Sequence, residues 1–135
     1  MNIFEIKVNE IFDKMLATMQ ERLPDRFPAK NRPRLVIGHK PCVTFLARAQ
    51  FDRKHNLAVI TYSDVYLDEM IKRKQFKITT YHELAHVVQF MYFEESRSHG
   101  REFQRIMYEN GYPNEGATCL SISSISKREA TRRGF

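Results

Sequence analysis

Apolar positions near the start of the chain recur at helical spacing. Ile3, Phe4, Ile11, Phe12, Met15, Leu16, Met19 and Leu23 fall at steps of three, four and seven or eight. That lays one apolar stripe along a helix over residues 3–23. Pro24 and Pro28 end it, and "RFPAKNRPR" is a basic, proline-punctuated connector. The period then shortens. "RLVIG" (34–38) is brief and β-branched. In "VTFLARAQF" (43–51), Val43, Phe45, Ala47 and Ala49 alternate with Thr44, Leu46, Arg48 and Gln50. "DRKHN" (52–56) is a polar turn, and "LAVITY" (57–62) is another apolar strand. These segments predict an antiparallel sheet of about three strands, built as a hairpin or meander.

Helical spacing returns after residue 63. Ser63 is placed to cap a helix beginning at Asp64. Its early acids (Asp64, Asp68, Glu69) and late bases (Lys72, Arg73, Lys74) suit the helix dipole. A further helix is expected over about 77–94, and another from about His99 to Asn110. Gly111 reads as a left-handed stop, with Pro113 just beyond it. The order of elements is α+β: an N-terminal helix, a small sheet, then helices. Residues 1–112 form the expected domain, and 113–135 a basic C-terminal tail.

Composition narrows the class. A chain of 135 residues suits one core, and its ten Phe and six Tyr argue against disorder throughout. No run of about 18 apolar residues is present, so no transmembrane helix is expected. "MNIFEIKVNEIFDKM" mixes charge into every turn, unlike a secretory signal. Cys42 and Cys119 are isolated from each other, which fits reduced thiols rather than a disulfide framework. A cytoplasmic, membrane-free, monomeric protein is the expectation.

The formal net charge is +6, and the excess is clustered. Such clusters fit a polyanion, most simply nucleic acid held without sequence preference. The residues marked for that contact are Lys30, Arg32 and Arg34 in the connector. Arg48, Arg53 and Lys54 surround the hairpin, where bases and aromatics interleave. Lys127, Arg128, Arg132 and Arg133 lie in the tail. A solvated basic surface is the plain alternative.

Residues 82–86 read "HELAH". On a helix, residues four apart share a face, so His82 and His86 can offer two imidazole nitrogens to one ion. Glu83 sits about 100° round the helix from His82. It is poorly placed as a ligand to the same ion and well placed to take a proton from a zinc-bound water. A catalytic zinc wants a third protein ligand and one open position. His99, after a short linker and beside Gly100, is favoured. Glu102 and Glu109 are its rivals. The metzincin pattern is ruled out, because Gln89 and Tyr92 stand where it needs Gly and His. The predicted centre is one zinc ion per chain held by His82, His86 and His99, with Glu83 as the base and a protein as the substrate.

The stretch "HELAHVVQFMYFEESRSHGREFQRIM" resembles the SprT-like family of zinc metallopeptidases, the SprT or Spartan type. That family shows H-E-x-x-H, a short helix-to-helix connection, then H-G-x-x-[FW]. His82, Glu83 and His86 match the first motif, and His99, Gly100 and Phe103 the second. The resemblance covers roughly residues 1–112. It implies a small zincin-like domain and association with DNA, with cleavage of proteins crosslinked to DNA in the Spartan-like members. It also implies His82, His86 and His99 as ligands, Glu83 as the base, and Phe103 packed behind the site. One departure stands out. Bacterial SprT-type chains commonly carry a C-terminal zinc ribbon with paired cysteines, and here neither cysteine lies in a C-x-x-C. Two other functions fit the same residues: a zinc peptidase that processes one particular protein without DNA, and a non-catalytic DNA-binding module that zinc merely stabilises.

Overall fold

The computed structural model describes residues 2–94 and 98–112. Helix α1 spans Ile3–Arg22. Asn2 caps it by accepting a hydrogen bond from the Glu5 amide at 2.9 Å. Its buried face is Val8, Phe12, Met15, Leu16 and Met19. The stripe is therefore displaced from the expected one: Ile3 is 68% exposed and Phe4 37%, while Val8 is fully buried. The fully buried core begins one turn into the helix; before it, Phe4 meets the rim of α3, its ring edge-on to Phe76 at 4.9 Å between centroids.

Three strands follow: β1 (Arg34–Lys40), β2 (Ala47–Asp52) and β3 (Leu57–Ser63). The sheet order is β1-β3-β2. β2 and β3 form the expected antiparallel hairpin, with Asp52 opposite Leu57 and Ala47 opposite Tyr62. β1, however, pairs with β3 in parallel, Arg34 opposite Leu57 through Lys40 opposite Ser63. The sheet is mixed, which corrects the wholly antiparallel meander. The reason is amphipathicity. β3 has no exposed residue and takes the centre, where both neighbours supply hydrogen bonds. β1 begins and ends on exposed Arg34 and Lys40, as an edge strand does. Residues 43–46, expected as the start of a strand, instead belong to the 41–46 crossover that carries the chain past β3. Crossing one strand takes about 10 Å, which six residues span easily.

Helix α2 is short, Leu67–Lys72. It starts three residues later than expected, because Ser63 belongs to β3. The buried Ser63 hydroxyl donates to the Cys42 carbonyl and accepts from the Val65 amide at 3.2 Å. It pins the crossover and a turn rather than a helix. The turn that closes α2 passes through Lys74, just beyond the capping Arg73, with φ at +58°. The Lys74 amide donates to the Ile71 carbonyl at 3.0 Å and the Gln75 amide to that of Met70 at 2.7 Å, the Schellman pattern. A Cβ in that region is unfavourable. Lys74→Gly is accordingly expected to raise stability by about 0.5–1 kcal/mol, read by urea unfolding. A neutral or destabilising result would mean that the lysine stem packs usefully.

Helix α3 (Phe76–Tyr92) runs through the centre, buried on nearly every side from Ile78 to Met91. Leu84, Ala85, Val87 and Val88 join Phe12, Met15 and Met19 of α1 and Ala58, Ile60 and Tyr62 of β3 in one core. Helix α4 (Arg101–Glu109) adds Phe103, Ile106 and Met107. Gly111, at φ +93°, closes α4 as the sequence predicts. Its amide donates to Tyr108 at 3.1 Å, and the Tyr112 amide donates to Met107 at 2.9 Å. No helix among the described residues is long and apolar enough to cross a membrane. The tail, 113–135, lies outside the described residues.

Candidate metal centre

α3 presents His82 and His86 on one face, and the turn before α4 brings His99 across to them. The three Nε2 atoms form a nearly equilateral triangle. His82 and His86 are 3.2 Å apart, His86 and His99 3.1 Å, and His82 and His99 3.2 Å. Donors held at about 2.0–2.1 Å around a tetrahedral ion stand roughly 3.3–3.4 Å apart. The triangle therefore fits such an ion to within a few tenths of an ångström. Without a cation or protons, three lone pairs converging this closely would repel.

The surroundings prepare the imidazoles as ligands. His82 and His86 have pKa values lowered to about 4, first by burial and then by neighbouring imidazoles. Both are neutral at pH 7, the form that binds metal. Phe103 is fully buried beneath the triangle. Its ring stacks on His86 at 4.4 Å between centroids and meets His82 at 5.0 Å and His99 at 5.1 Å. Gln104 Nε2 donates to the His99 carbonyl at 3.2 Å, holding the turn.

Gln89 was not marked from the sequence. It is fully buried, and its side-chain oxygen lies 3.4 Å from His86 Nδ1. Accepting that N–H leaves the His86 Nε2 lone pair directed at the ion, the usual role of an outer partner. A buried polar residue three positions after a histidine on a helix was the available signal.

Glu83 is on α3 and only 7% exposed. Burial keeps the neighbouring Tyr62 phenol protonated, the 2.6 Å hydrogen bond between Tyr62 and Thr80 opposes it, and the Glu83 carboxylate adds a smaller push in the direction of burial. The rival ligands Glu102 and Glu109 are engaged elsewhere. Glu102 faces Arg26 at 3.7 Å, and Glu109 takes Arg22 and Arg105, each at 3.1 Å.

Among the described residues, this is the group of three donors that can hold a metal ion. A model of the SprT-like family matches residues 8–122, most of the chain, including both histidine motifs. The chain belongs to the SprT-like family. No curated protein and no solved structure is similar enough to register as a match to this SprT-like chain.

The basic residues marked for nucleic acid divide into three groups. Lys30 donates to the Met91 carbonyl at 2.9 Å, and Arg53 donates to the carbonyls of Phe90 and Met91, so both cap the end of α3. Arg32 pairs with Asp13 at 2.5 Å and lies 4.9 Å from the centre of the Phe12 ring. These three serve the fold. Arg34, Arg48 and Lys54 are exposed on β1, β2 and the hairpin turn, three separate elements. Lys127, Arg128, Arg132 and Arg133 lie outside the described residues. Arg53→Ala is expected to cost about 0.5–1.5 kcal/mol of stability through the lost α3 cap. Equal urea midpoints for variant and parent would overturn that assignment.

Proposed function

We propose that this SprT-like protein is a zinc-dependent endopeptidase that cleaves proteins bound or crosslinked to DNA. The convergence of three Nε2 atoms at 3.1–3.2 Å beside a buried glutamate carries the reading. A purely structural zinc site usually fills four positions with protein ligands and has no use for Glu83. His82, His86 and His99 would hold the ion. Zinc bound there supplies a water acidified towards a pKa of about 7 and polarises a carbonyl.

The chain's own residues do the rest. Glu83 accepts the proton of the attacking water and returns it to the nitrogen of the leaving amine. Phe103 and Gln89 hold the His86 ring, and Gln104 holds the His99 turn, so that the donors need not reorganise. The net charge of +6 supports a polyanion as the second partner. The reading further places the protein in the cytoplasm as a monomer.

Metal analysis and cleavage of a basic DNA-binding protein, with and without single-stranded DNA, test it. About one zinc per chain and cleavage stimulated by DNA are expected. Zinc with cleavage indifferent to DNA would favour a peptidase for one particular protein. Zinc with no cleavage of free or DNA-bound protein would favour a non-catalytic zinc-stabilised module.

A further inference from the structure

Lys30, Arg32 and Arg53 already bond the fold, and the structure assembles a further basic cluster elsewhere. The end of α1 lies against α4. Leu23, Arg26, Arg101, Gln104, Arg105 and Tyr108 line a shallow depression of about 700 Å³ between them. With Arg22, four arginines lie there against two carboxylates, Glu102 and Glu109. Arg26 reaches Glu102 only at 3.7 Å, and Arg22 and Arg105 share Glu109. Arg101 has no acidic partner among the described residues and is exposed.

The Tyr108 ring is 58% exposed, and the Arg105 guanidinium lies 5.8 Å from its centre. Guanidinium groups bind phosphate in two-pronged fashion, and an open aromatic face accepts a nucleobase of any identity. A second basic patch, Lys7, Lys74 and Lys77, lines an apolar groove with Ile3, Phe4, Ile71 and Phe76. It brings point charges and grease rather than forked donors and an open phenol.

We infer that the α1–α4 face is a binding surface for single-stranded nucleic acid, with Arg26, Arg101 and Arg105 on phosphates and Tyr108 under a base. This rests on the reading above that the chain acts on DNA-associated protein. α4 starts one residue after Gly100, so Arg101 to Tyr108 lie within about 15 Å of His99 along the helix. A strand on this face would lie within that reach of the three-histidine centre, which would favour protein cargo carried on that strand over free protein.

The test uses the full chain and a fluorescein-labelled oligothymidylate titrated at several salt concentrations. R26Q/R101Q/R105Q is expected to flatten the slope of log K against log salt by about 2, at roughly 0.7 per phosphate contact on a single strand. Tyr108→Ala is expected to weaken binding at least about fivefold at fixed salt, with its thermal unfolding checked against the parent. K7Q/K74Q/K77Q is the control and should change neither. An unchanged slope in the arginine variant, or an equal loss in the lysine control, overturns the surface while leaving DNA association intact. Failure of the parent chain to bind the oligonucleotide even at low salt overturns the surface and DNA association together. The peptidase reading would then still stand or fall on Glu83.

Discussion

Glu83→Gln is expected to keep about one metal ion per chain and to lower peptide-bond cleavage by about 10²–10⁴-fold, the contribution of a positioned general base. The substitution keeps the shape and size of the side chain and leaves the three Nε2 donors untouched. It removes only the capacity to take a proton. Because Glu83 is nearly fully buried, exchanging a carboxylate for a neutral amide relieves a desolvation cost. The melting temperature is therefore expected to stay at or above that of the parent. Unchanged stability with lost turnover separates a base from a structural residue. A variant that cuts at the parental rate would remove Glu83 from the chemistry, and one that loses the metal would make it a structural support of the site.

His86→Ala should abolish metal binding at stoichiometric concentrations, a loss beyond the about 10–100-fold that follows removal of an outer partner. His86 is the vertex joined to His82 and His99 at 3.2 and 3.1 Å, and it also stacks on Phe103. Stripping metal from the parent with a chelator exposes a second effect, now of pH. His82 and His86 are held at about 4 in the folded chain. In the unfolded chain they titrate near 6.5. The unfolded state thus binds more protons between those values. The histidine contribution to stability is fully present above about pH 6.5 and is lost as pH falls towards 4. The slope is at most about 1.4 kcal/mol per pH unit for each histidine. Urea unfolding of the chelated protein at pH 7.5 and 5 should differ by on the order of 2–4 kcal/mol. His82→Ala/His86→Ala should show a much smaller difference. Equal pH dependence in the two proteins would mean that other groups set it.

Much of the local structure was legible because its causes are local. The stripe from Phe12 to Met19 makes α1, and Gly111 supplies the left-handed stop of α4. The pair His82 and His86 follows from one helical turn. Ser63 misled because its hydroxyl bonds the Cys42 carbonyl, 21 residues upstream, rather than a nearby helix amide. That Lys30 and Arg53 also cap α3 was hidden because the carbonyls they bond, at Phe90 and Met91, lie far along the chain. Charge is visible in a sequence, but whether its donors are already engaged by a helix end is not.

The sequence by itself determined the number and α+β order of the elements and the two motifs that carry the histidines, since spacing along a helix converts directly into a shared face. Only the tertiary structure decided that β3 sits between β1 and β2. It also turned Glu102 and Glu109 towards arginines and left His99 as the third apex of the triangle. Those outcomes depend on which nonlocal surfaces bury the most apolar area at once, and no single segment contains that information.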